Sequence, residues 1–111
     1  MKIYYDHHNI GGNIVKNDET YQVKDNLTLQ NLVLSSTCLY RGKSTRGHTH
    51  PGQEEIYFFV MGHGLMEVGE RKIRVSQCSI ILIPDGEFHR VINDGDGNLL
   101  FNCVFQGKRS H

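Results

Sequence analysis

Gly42-Lys43-Ser44-Thr45-Arg46-Gly47-His48-Thr49-His50-Pro51-Gly52-Gln53-Glu54-Glu55-Ile56-Tyr57-Phe58-Phe59-Val60 is the stretch on which the fold turns. His48 and His50 are two residues apart, so an extended backbone points both imidazoles to one face. Pro51-Gly52 is turn chemistry, and the aromatic and β-branched run from Glu55 reads as the next strand. Downstream, Pro84-Asp85-Gly86 makes a second tight turn and His89 opens another strand. His48, His50, Glu55 and His89, brought together from neighbouring strands, make an N3O donor set. That set suits one borderline first-row divalent ion (Mn, Fe, Ni or Zn) and leaves one or two positions for water or substrate.

Outward from this stretch, the chain continues as short β-rich runs broken by turn residues. Strands are predicted over residues 27–34, 37–41, 55–60, 64–68, 72–76, 79–83, 88–93 and 99–106. No apolar i, i+3, i+4, i+7 pattern is long enough for a substantial helix. Eight or more short strands at this spacing point to an all-β sandwich or barrel. In 72–76, Ile73 and Val75 share one face while Lys72 and Arg74 take the other. The runs Ile80-Ile81-Leu82-Ile83 and Ile56-Tyr57-Phe58-Phe59-Val60 are apolar on both faces and need two covers. Ile56, Phe58 and Val60 alternate with Glu55, Tyr57 and Phe59, so they are expected to form an outer stripe that a second copy covers in a homodimer.

The chain resembles the cupin superfamily. Its first motif, G-x5-H-x-H-x4-E-x6-G, is met by Gly42, His48, His50, Glu55 and Gly62. Its second, G-x5-P-x-G-x2-H-x3-N, is met by Pro84, Gly86, His89 and Asn93, with Cys78 where glycine is expected. The resemblance implies a cupin jelly-roll barrel over residues 27–111, preceded by an N-terminal arm with edge strands over residues 1–26. It also implies metal ligation by His48, His50, Glu55 and His89. Glu54 competes for the carboxylate role, but Glu55 alone keeps the six-residue gap to Gly62. The run Thr45-Arg46-Gly47-His48-Thr49-His50 is similar to that around the site of archaeal cupin phosphoglucose isomerases.

Three functions follow as expectations. A metal-dependent carbohydrate enzyme would use the cation as a Lewis acid for enediolate formation, with Glu55 or Tyr57 moving the proton. An Fe(II) dioxygenase would use the same donor set, and a non-catalytic module would simply grip a sugar or acid. Basic side chains in the barrel mouth would favour the first, an apolar aromatic mouth the second, and a mouth filled by side chains a structural role. Arg46, two residues before His48, is the expected substrate contact among Arg41, Lys43, Arg46 and Arg90. His7, His8, His63 and His111 read as polar surface residues.

Lys plus Arg and Asp plus Glu are twelve each, which gives no support to nucleic acid or an anionic membrane as a partner; a small molecule is the expected one. The polar N-terminus lacks the apolar core of a signal peptide, so a cytoplasmic location is expected. Cys38, Cys78 and Cys103, an odd count with no CxxC, are expected as reduced thiols, Cys38 and Cys103 as small buried hydrophobes.

Overall fold

A computed structural model describes residues 1–109, so His111 lies outside the described residues. Among these residues nine strands form: β1 (Asn13–Asn17), β2 (Tyr21–Asn26), β3 (Leu32–Leu39), β4 (Glu55–Met61), β5 (His63–Val68), β6 (Arg71–Ser76), β7 (Ile80–Ile83), β8 (His89–Ile92) and β9 (Leu99–Gln106). They pair antiparallel into a six-stranded sheet, β1-β2-β3-β9-β4-β7, and a three-stranded sheet, β6-β5-β8. No helix occurs among the described residues, and none of their segments is a helix long and apolar enough to cross a membrane. The core fills the space between the sheets with Leu39, Phe59, Met66, Val75, Val91, Leu99, Phe101 and Phe105.

Two predicted strands, 27–34 and 37–41, are one. β3 runs unbroken through Ser35 and Ser36, both buried. Serines suggest a break, but the Ser35 hydroxyl donates to the Lys24 carbonyl at 3.3 Å, so its polarity is satisfied within the sheet. Residues 27–31 are excluded from strand by Asn26, whose Oδ1 accepts from the Thr28 amide at 3.0 Å and hydroxyl at 2.6 Å. This Asx turn ends β2.

The expected outer stripe on β4 needs a similar correction. Ile56 is 44% exposed and Phe58 half-buried, but Val60 is only 2% exposed. A register shift between Phe59 and Met61 against β9 puts two adjacent residues inside. The stripe is instead completed sideways. Leu34 pairs with Val104, Val104 with Ile56, and Ile56 with Leu82, an apolar row across β3, β9, β4 and β7. The N-terminal segment reaches this outer face one step along, where buried Asn102 donates to the His7 carbonyl at 2.8 Å.

The motif positions that bear no ligand set the turns. Gly62 has φ +89°, and a Cβ there would meet the Asn98 carbonyl oxygen at 2.4 Å, so glycine is required at the β4–β5 junction. Cys78 adopts φ +77° without being glycine, so the turn the motif expects is retained and the substitution is carried as backbone strain. Asn93 is buried and donates to the carbonyls of Leu39 and Gly97, both at 2.9 Å, which fixes the turn after β8. All three cysteines are free, with Cys103 buried, Cys38 half-buried and Cys78 exposed.

Candidate metal centre

His48 and His50 do not sit on a strand, as their spacing suggested, but on a segment laid along β8. His48 and His89 form an isolated antiparallel bridge, each amide donating to the other's carbonyl at 3.1 Å. The Thr45 amide donates to the Val91 carbonyl and the Val91 amide to the Thr45 hydroxyl, both at 2.9 Å. Gly47, at φ +81°, lets this segment close on β8, since a Cβ there would lie 2.6 Å from the Phe88 ring. The two motif turns are joined directly: the Gly52 amide donates to Asp85 Oδ1 at 2.6 Å. Glu55 then opens β4 on its inner face, 2% exposed, while Glu54 is exposed.

These constraints bring the four side chains together. The ring centroids of His48 and His50 are 4.5 Å apart, those of His48 and His89 5.1 Å, and those of His50 and His89 5.4 Å. One nitrogen from each imidazole lies within 4.8 Å of the other two. Glu55 Oε1 lies 3.6 Å from both His50 Nε2 and His89 Nε2, too long for a hydrogen bond. A divalent ion with bonds of about 2.0–2.2 Å sets its donors roughly 3.0–3.5 Å apart, close to the separation of Glu55 from His50 and from His89.

The buried polar atoms also fit an ion. Both Glu55 oxygens and His89 Nε2 are buried with no hydrogen-bond partner among the described residues. Such atoms are rare in native interiors, and a bound cation would satisfy all three. His89 Nδ1 lies 3.1 Å from the Glu87 carbonyl, which assigns the proton to Nδ1 and turns the Nε2 lone pair toward Glu55.

The electrostatics point the same way. Burial, reinforced by His50 and His89, brings His48 down to about 4, and burial lowers His50 and His89 as well. All three imidazoles are therefore neutral near pH 7, the form that binds metal. Burial raises Glu55 to about 7, so without a cation its charge is poorly supported. The 3.6 Å contacts are thus not ion pairs but donors facing a common space.

A cavity of about 70 Å³ opens beside His48, and Tyr57, Thr45, Arg46, Lys16 and Arg109 are among its lining residues. Tyr57 packs against the His89 ring at 5.7 Å, and burial pushes its hydroxyl well above the usual range, so it remains a proton donor. Arg46 lines the cavity, whereas Arg41, Lys43 and Arg90 do not. Arg90 instead donates from Nε to the Thr45 carbonyl at 3.1 Å. His7 and His8 are exposed in a turn beside Asp6, and His63 is exposed.

Sequence reading missed Arg109 and Asp25. Arg109 Nε donates to Asp25 Oδ2 and Nη2 to Asp25 Oδ1, both at 2.7 Å, and Nη2 also reaches the Ser35 hydroxyl at 2.7 Å. The available signal was Tyr21, Val23 and Asp25 on one strand face, because an inward carboxylate requires a cationic or hydrogen-bonding partner.

The chain matches the family model described as Cupin domain over residues 37–105. It is 29% identical over 106 residues to a glucose-6-phosphate isomerase of Thermococcus litoralis, covering 84% of this chain and 56% of that protein. An oxalate-binding protein of Thermotoga maritima is 29% identical over 63 residues, covering 57% of this chain and 52% of that one. The chain thus spans about half the length of the curated relatives it matches. The structure of KdgF from Halomonas sp. superposes with a TM-score of 0.81 at 18% identity, covering 99% of this chain and 96% of that one, which shows the fold. Two motifs complete but for Cys78, nine antiparallel strands in two sheets among the described residues and a family match across most of the barrel agree: the chain belongs to the cupin family.

Proposed function

We propose that this cupin is a metal-dependent enzyme that moves a proton on a compact hydroxy-carbonyl compound of carbohydrate type, as an isomerase does. The observation that carries the reading is the buried Glu55 carboxyl group, whose oxygens face His50 and His89 with no hydrogen-bond partner among the described residues. His48, His50, Glu55 and His89 would hold one divalent ion, which would supply Lewis acidity toward two adjacent substrate oxygens. Tyr57, protonated and lining the cavity, would donate a hydrogen bond or a proton to the substrate. Lys16, Arg46 and Arg109 make the mouth basic, which supports a polar, oxygen-rich substrate over the apolar one an oxygenase reading expects. The similarity to glucose-6-phosphate isomerases across 84% of the chain supports the same direction.

A second reading, non-catalytic binding of a small acid, is favoured by the similarity to the oxalate-binding protein. Solvent exchange separates the two. Aldose and ketose phosphates incubated with Zn2+-loaded protein in D2O should gain deuterium at the carbon next to the carbonyl, read by mass spectrometry. The gain should vanish in the His48→Ala/His50→Ala variant. Acid binding without exchange of any compound would replace the enzyme by the binder. The row Leu34–Val104–Ile56–Leu82, half-buried at Leu34 and Val104 and exposed at Ile56 and Leu82, supports pairing of two copies through the outer face of the large sheet.

A further inference from the structure

We propose that Lys16, Arg46 and Arg109 form an oxyanion subsite at the barrel mouth, so that the compound held at the metal centre carries a phosphate or carboxylate group besides its chelating oxygens. This deepens the function proposed above and rests on it only for the chelating end.

The three cations come from separate parts of the chain. Lys16 lies on β1, Arg46 in the segment along β8, and Arg109 beyond β9, yet all three line the cavity that His48 and Tyr57 also line. Like charges converge from distant elements at a cost in repulsion unless something of opposite charge joins them. The protein supplies part of that charge. Asp25 accepts both Nε and Nη2 of Arg109, and Arg109 Nη1 makes no hydrogen bond to a described residue. Among the described residues, the Lys and Arg side chains in ion pairs with carboxylates are Arg74, Arg90 and Arg109. Lys16 and Arg46 therefore line the cavity without a carboxylate partner among the described residues.

Three positive charges set against Asp25 leave two in excess, which a phosphate dianion neutralises fully and a single carboxylate by half. Burial lowers Lys16 first, with Arg109 next and Arg46 adding in the same sense, while Asp18 and Asp25 oppose; the cations sense one another. Asp25 and Ser35 hold the Arg109 fork in place, so little ordering is needed when an anion arrives. The small cavity fits a compact substrate that reaches from His48 to these cations.

The test is calorimetric titration of inorganic phosphate, and separately of malonate, into the full chain freed of metal, since either anion can also coordinate a cation. The full chain should bind one of the two, and which one identifies the group as phosphate or carboxylate. The Lys16→Gln/Arg46→Gln variant should bind it at least tenfold more weakly while taking up Mn2+ as the unaltered chain does. Because Arg109→Gln alone strands a buried Asp25, its contribution is read in the paired Asp25→Asn/Arg109→Gln variant, expected to weaken binding as well. Binding of neither anion, or unchanged binding in Lys16→Gln/Arg46→Gln, would overturn the subsite. Anion binding in a chain that takes up no Mn2+ would remove the metal centre and leave the subsite standing.

Discussion

At Glu55 two opposing demands meet on one carboxyl group. Burial favours its neutral form and raises it to about 7, whereas a cation between it and the histidines requires the charged form. Metal uptake must therefore displace a proton whenever Glu55 begins protonated. His48, brought down to about 4, is already neutral at pH 6 and releases none. Near pH 6 Glu55 should release about one proton per Zn2+ bound, and total release should fall toward zero above about pH 8, as read by calorimetry in buffers of different ionisation enthalpy. Release that does not change with pH would place the titrating group elsewhere. Glu55→Gln should weaken binding of Mn2+ or Zn2+ at least tenfold, about 1.4 kcal/mol, while exposed Glu54→Gln leaves it unchanged. The reverse order would shift the register of β4 by one residue. At this scale the four clustered residues were legible because the His-x-His spacing, the turns and the gap to Gly62 each restrict them locally. Arg109 and Asp25 were not, because they meet across 84 residues and no local pattern records the contact.

Among the elements, β9 matches its predicted span of 99–106, since its apolar run is bounded by turn residues on both sides. β3 was hidden by Ser35 and Ser36; the Ser35 hydroxyl is satisfied by the Lys24 carbonyl on β2 and by Arg109 beyond β9. The bulge that turns Val60 inward was also unreadable, because it depends on the register of β4 against β9. The turn before β7 gives a direct check on strain. Cys78 holds φ +77°, with its amide donating to the Phe59 carbonyl at 2.9 Å, so the geometry is kept by the fold rather than by residue preference. Cys78→Gly should stabilise the protein by roughly 0.5–1 kcal/mol in urea unfolding under reducing conditions, and Cys78→Val should destabilise it by at least as much. Equal stability of all three would mean that the turn carries no strain in solution.

For the whole molecule, the outer face of the six-stranded sheet is only partly covered by its own chain. The N-terminal segment reaches Asn102, while Leu82 and Ile80 on β7 remain 68% and 66% exposed. Light scattering should give twice the 12.7 kDa chain mass, and Ile56→Lys with Leu82→Lys should return it to one chain. A single-chain mass for the unaltered protein would leave that face without a second copy. The inner face carries the central claim, that three neutral imidazoles and a buried carboxylate converge on one divalent ion. The direct measurement is equilibrium dialysis against Mn2+ and Zn2+ with elemental analysis, on the unaltered chain and on His48→Ala/His50→Ala, with circular dichroism to confirm the β fold in both. One ion per chain, lost in a variant that remains folded, is the predicted result; no stoichiometric uptake, or the same uptake in both proteins, would contradict it.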